Sequence, residues 1–89
     1  MDVTKLKIPE GWRIEELPRD PDHLLISTPS PTTIFTTIDL KLRGFRTGYS
    51  TTGLLVGEAW NRKRKKYDGR GWLQAIVDDA VTHLQKILR

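Results

Sequence analysis

The segment 71–89 constrains this chain more than any other, because its apolar residues recur at helical spacing and not at strand spacing. At 100° per residue, Trp72, His83, Ile76, Ile87, Ala80, Leu73, Leu84, Val77, Leu88 and Val81 fall on one half-cylinder, with His83 alone polar. The other half carries Gln74, Gln85, Asp78, Arg89, Thr82, Ala75, Lys86 and Asp79. No proline or glycine interrupts the pattern after Gly71, and Lys86 and Arg89 stand where the helix dipole favours cations. A helix that is apolar over half its surface needs a second layer to bury that half.

The rest of the chain supplies strands for such a layer. All five prolines (Pro9, Pro18, Pro21, Pro29, Pro31) lie in the first 31 residues, where each removes a backbone donor and blocks helix propagation. Two runs of strand length, 12–17 and 23–28, stand between them, bounded by the turn-forming segments 18–22 and 29–31. Residues 32–43 alternate, with Ile34, Thr36, Ile38, Leu40 and Leu42 on one side of the chain. This predicts a third strand with its even-numbered face buried. Leu24 and Ile26 join that face if Ile26 lies opposite Ile34 and Leu24 opposite Thr36. Gly44, Gly48 and Gly53, set among small polar residues, predict a long turn or bulged connection. Residues 54–60 predict a fourth strand in which Gly57 marks a bulge or a close backbone approach. The expected fold is therefore α+β: an antiparallel meander of three to four strands with one C-terminal amphipathic helix packed on one face. Residues 1–10 are expected to be loosely attached, and 11–89 to form a single domain.

At 89 residues and 10.2 kDa there is room for one core only. The absence of cysteine excludes a disulfide framework, a thiolate metal site and a thiol nucleophile. No apolar run is long enough for a membrane span, and the first residues lack the apolar stretch of a secretory signal, so a cytoplasmic protein without a membrane partner is expected. Charge is unevenly distributed. Residues 1–40 hold four basic and seven acidic side chains, whereas 41–89 hold eleven and four, and the formal total is +4. An anionic partner should meet the second part.

Within that part, Arg62, Lys63, Arg64, Lys65, Lys66 and Arg70 stand between and beside Trp60 and Tyr67. Basic side chains that neutralise phosphates, interleaved with rings on which bases stack, are the residue types that nucleic-acid contact requires. A solvated, solubilising connection before the helix has the same composition. The leading expectation is thus a nucleic-acid-binding or nucleic-acid-associated accessory domain. The alternative is a non-enzymatic interaction module or homodimer that uses Leu25 and Phe35, which the expected hairpin register places opposite each other on the outer face.

The layer order resembles that of plant AP2-type and phage integrase-type DNA-binding domains in topology alone. The expected outer face, with Arg13, Glu15, His23, Asp39, Lys41 and Arg43, is mixed in sign. The segment 8–12 resembles the opening of a WW domain, but the aromatic and proline pattern that completes that family does not follow. No catalytic constellation is present. His23 and His83 lack metal-ligand spacing, and Asp79 with His83 has the spacing of an ordinary helical ion pair. No enzyme activity, metal or cofactor is expected.

Overall fold

The computed structural model describes residues 3–29, 34–51, 54–60 and 67–88. Five antiparallel strands form one sheet in chain order: β1 (Arg13–Leu17), β2 (Asp20–Ser27), β3 (Ile34–Asp39), β4 (Gly44–Thr51) and β5 (Leu54–Trp60). Helix α1 (Trp72–Ile87) packs across β3 and β4, and a single 3-10 turn (Val3–Lys5) precedes β1. The α+β meander with a C-terminal helix is the fold expected from the residue pattern. The strand count rises to five because Gly44–Thr51 is a strand and not a connection.

The pleat explains which side chains are covered. Leu24 and Ile26 of β2, Thr36 and Ile38 of β3, and Phe45 and Thr47 of β4 face the helix and are buried. Ile76, Val77, Ala80, Val81 and Leu84 of α1 meet them, all from the apolar half-cylinder. Complete burial of each Leu or Ile side chain stabilises the fold by about 1.5–3 kcal/mol relative to exposure, which makes this interface its main support.

The buried face is the expected one, but the β2–β3 register differs by two residues. Ile26 pairs with Thr36 and Leu24 with Ile38, in place of Ile34 and Thr36. The cause is where β3 ends. The long alternating run breaks at Asp39, whose Oδ1 accepts the backbone N–H groups of Lys41 (2.9 Å) and Leu42 (2.9 Å). Arg43 then takes a left-handed conformation (φ 52°), and Gly44 closes the turn opposite Asp39. Leu42 is consequently at the tip of a turn, 76% exposed, and not on the core face. At the other hairpin, β2 begins at Asp20 and includes Pro21. Pro21 is tolerated because the β2–β3 ladder starts only at His23↔Asp39, so no sheet donor is missing there.

The β4–β5 pairing skips Gly57. Gly48 opposes Glu58 and Tyr49 opposes Val56, so Gly57 is the extra residue of a bulge, as its place in the strand pattern suggested. Segment 3–12 lies along the helix and the core, with Val3, Leu6, Ile8 and Trp12 packed against it. Gln74 holds this segment through both halves of its amide: Oε1 accepts from Lys7 N (2.8 Å) and Nε2 donates to Lys7 O (2.9 Å).

At the centre of the core, the hydroxyls of Thr36 and Thr47 are 3.0 Å apart across β3 and β4, and both residues are buried. One donates and the other accepts. Replacing one by Val leaves the remaining hydroxyl buried without this partner and is expected to cost about 1–3 kcal/mol, whereas the double Val variant should lie within about 1 kcal/mol of the parent. A double-mutant cycle by urea unfolding checks this, and additive single effects would show that the pair is not coupled.

Candidate functional site

Lys and Arg residues 62–66 lie outside the described residues, but the two ends of the segment that carries them do not. The upstream end is β5, whose Trp60 is the Cα partner of Arg46 in β4. The downstream end is Tyr67, whose backbone carbonyl accepts a 2.9 Å hydrogen bond from Arg43 Nη1. Arg43 and Arg46 are separated only by Gly44 and Phe45, so the segment leaves and rejoins the fold beside the β3–β4 turn.

Arg43 is fixed from several sides. Its guanidinium carbon is 4.4 Å from the centroid of the Trp72 ring, an arrangement that attracts a cation to the ring face. Nη1 also lies 4.0 Å from Asp68 Oδ1, both groups being solvated, so this pair adds little. Lys41, in the same turn, is 3.3 Å from Asp22 Oδ2 and likewise exposed. Arg70 is exposed between Gly69 (φ 74°) and Gly71 (φ 77°), two left-handed positions that glycine occupies without the penalty a Cβ would bring. The first turn of α1 has no side-chain cap and no acidic residue, so the positive pole of its dipole adds to the same sign.

Tyr67 differs from its expected role. It is 4% exposed, packed in the core, and its hydroxyl donates to Asp79 Oδ2 at 2.6 Å. A ring so enclosed offers no face for a base, and Tyr67 is an anchor instead of a stacking surface. Trp60 can be placed only by its strand register. Arg43, Arg46 and Trp72 join the neighbourhood without having been singled out by spacing. The one local signal for Arg43 is its place before Gly44, where a basic side chain ends a turn.

The sheet face turned away from α1 is organised in rows. By register, one row runs Glu15, Leu25, Thr37, Arg46, Trp60, and the next Arg13, Ser27, Phe35, Gly48, Glu58. Leu25 and Phe35 therefore lie in different rows and are diagonal neighbours, not directly opposed, and both are half-buried. The expected cross-strand pair is corrected by the same two-residue shift that moved the core register. Arg13 and Glu15 form a 3.1 Å ion pair at the edge of this face.

The two histidines serve different surroundings. His83 lies against Phe45, ring centroids 5.9 Å apart, while Asp79 engages Tyr67. His23 sits between two carboxylates, with Nδ1 2.8 Å from Asp20 Oδ1 and Nε2 3.4 Å from Asp39 Oδ2. The shorter contact is close enough for an ion pair yet out of line for a hydrogen bond. Among the described residues there is no group of His, Asp and Glu that could hold a metal ion. A shallow groove of about 370 Å3, lined by Lys7, Ile8, Pro9, Asp78, Val81 and Thr82, separates segment 7–9 from the second half of α1. It is open to solvent and brings together no acid–base pair suited to chemistry. No described helix is long and apolar enough to cross a membrane.

Comparison with protein-family models, with curated proteins and with solved structures finds no match.

Proposed function

We propose that this is a nucleic-acid-binding accessory domain in which the segment 62–70 supplies phosphate contacts. The carrying observation is the anchoring of that segment at both ends beside Arg43 and Arg46. In sequence, the five consecutive basic residues 62–66 run between these two anchors and Arg70 follows, a concentration of one sign that favours an anionic polymer. The carboxylates described there are Asp68, solvated and 4.0 Å from Arg43, Asp22, 3.3 Å from Lys41, and Asp39, whose Oδ1 caps the turn. The reading is of a binding domain with no catalytic step, and Tyr67 and Trp72 contribute by fixing the chain, not by touching the ligand.

The test is the salt dependence of binding to short nucleic acids. Replacing Arg62, Lys63 and Arg64 together by Gln is expected to weaken binding and to reduce the slope of log K against log salt. The reduction is about 0.9 for each phosphate no longer neutralised on a duplex and about 0.7 on a single strand. The same affinity and slope in the parent and the triple variant would overturn the assignment.

A further inference from the structure

Two fixed points flank the approach to α1. Arg43 Nη1 holds the Tyr67 carbonyl at 2.9 Å, and the Gly71 carbonyl accepts the first hydrogen bond of the helix, from Ala75 N at 3.0 Å. Asp68, Gly69 and Arg70 lie between them and are exposed. Among the described residues no hydrogen bond engages the Gly69 N–H, and Gly69 has φ 74° with no atom within 4 Å of where a Cβ would stand. The Asp68 carboxylate is solvated, and its 4.0 Å contact with Arg43 is too loose to hold it in one place. A backbone nitrogen without a hydrogen-bond partner thus stands next to a loosely held carboxyl group, with no side chain to crowd the approach of one to the other.

We propose that the Asp68–Gly69 step is a site of spontaneous conversion to isoaspartate, with water as the co-reactant. The Gly69 nitrogen attacks the carboxyl carbon of the Asp68 side chain, the new C–N bond closes a five-membered succinimide, and the carboxyl hydroxyl leaves with the amide proton as water. A second water then opens the ring. Cleavage of the C–N bond at the side-chain carbonyl restores aspartate, whereas cleavage at the main-chain carbonyl leaves isoaspartate, with no net change in composition. The inference stands apart from the nucleic-acid reading, since no step involves a ligand.

The fold singles out this aspartate among those described. Asp20 is followed by Pro21, whose nitrogen has no hydrogen to lose. Asp39 accepts from the N–H groups of Lys41 and Leu42, and the N–H of Leu40, which would have to attack it, donates to Asp22 O at 2.8 Å. Asp78 and Asp79 precede residues of α1 whose N–H groups are committed to the preceding turn. His23, which follows Asp22, lies in the extended backbone of β2 and carries a side chain where Gly69 has none. Conversion at Asp68 routes the main chain through the former side-chain carbon. The path between the two fixed points gains a methylene, which is expected to loosen the Arg43 contact with the Tyr67 carbonyl.

The test incubates the full chain in neutral buffer for several weeks, native and, in parallel, unfolded in guanidinium, and maps isoaspartate by electron-transfer fragmentation of its peptides. In the native chain it is expected to appear at Asp68 about tenfold or more faster than at any other described aspartate, a barrier difference of about 1.4 kcal/mol. Asp68→Glu, which would need a six-membered ring, is expected to remove the signal. Asp68→Asn is expected to reach the same product faster, with ammonia leaving in place of water. A native chain that stays unmodified while the unfolded chain converts would show that the fold holds the Gly69 nitrogen out of reach, and would overturn the inference. Conversion spread evenly over the aspartates, or persisting in Asp68→Glu, would overturn it equally. The converted fraction, separated by chromatography, is expected to unfold at lower urea than the parent, and an unchanged midpoint would refute the link to the Arg43 anchor.

Discussion

Tyr67→Ala is expected to destabilise the domain by about 3–5 kcal/mol in urea unfolding, a large share of the total stability of a chain this size. Three effects combine. The buried ring leaves a cavity beside the core cluster, the Asp79 carboxylate is deprived of the hydroxyl held at 2.6 Å, and the chain whose carbonyl anchors Arg43 is released. Tyr67→Phe separates them, since it keeps the ring and removes only the hydroxyl, at an expected cost of about 1–2 kcal/mol. A destabilisation below about 1 kcal/mol for Tyr67→Ala would mean that the ring is not part of the core. The comparison also bears on binding. If Tyr67 is an anchor, Tyr67→Phe binds oligonucleotides as the parent does, whereas a role for its hydroxyl in ligand contact would lower affinity without a matching fall in stability.

Ile38→Ala should cost about 2–5 kcal/mol, and Leu42→Ala no more than about 0.5 kcal/mol. The two residues are four apart in one alternating run, and by strand spacing alone they would share a face. They do not, because Ile38 is fully buried under α1 and Leu42 is at the tip of the β3–β4 turn. Thermal or urea unfolding of both variants distinguishes the observed turn from a strand continued to residue 43. Comparable destabilisation at the two positions would contradict the turn.

These positions also show why the fold was legible in some stretches and not in others. In α1 the apolar spacing persists over more than four turns without a competing signal, and the buried residues Ile76, Val77, Ala80, Val81 and Leu84 all come from the arc that the spacing defines. In β2 and β3 the period-two pattern identified the covered face correctly. Register was another matter, because it depends on where the hairpin's strands stop, and an even shift preserves the face. Leu40 and Leu42 prolonged the alternation past the point where Asp39 captures two backbone donors, and side-chain capping of this kind leaves no trace in hydropathy. Strand β4 was obscured by Gly44 and Gly48 and by the small polar residues between and beyond them. Its inward positions, Phe45 and Thr47, are strand-forming types, but one of them buries a hydroxyl and so breaks the apolar count. At the candidate site, charge concentration was visible in composition. The anchoring by Arg43 was not, because it joins residues 24 apart through a backbone carbonyl.

The order of the elements along the chain sets how the protein emerges during synthesis. Every strand is made before α1, and each pairs with its chain neighbour, so the sheet can assemble hairpin by hairpin as it appears. Its cover comes last. Between the synthesis of Leu24 and that of Leu84, a helix residue of the same core cluster, lie 60 positions, roughly 3 to 12 seconds of translation at about 5–20 residues per second. As they are made, Leu24, Ile26, Ile38 and Phe45 have no helix to face, and the nascent sheet displays these apolar side chains around Thr36 and Thr47. The same one-sided architecture thus leaves the inward face of the growing sheet without its cover until residues 72–87 have been made and can fold across it.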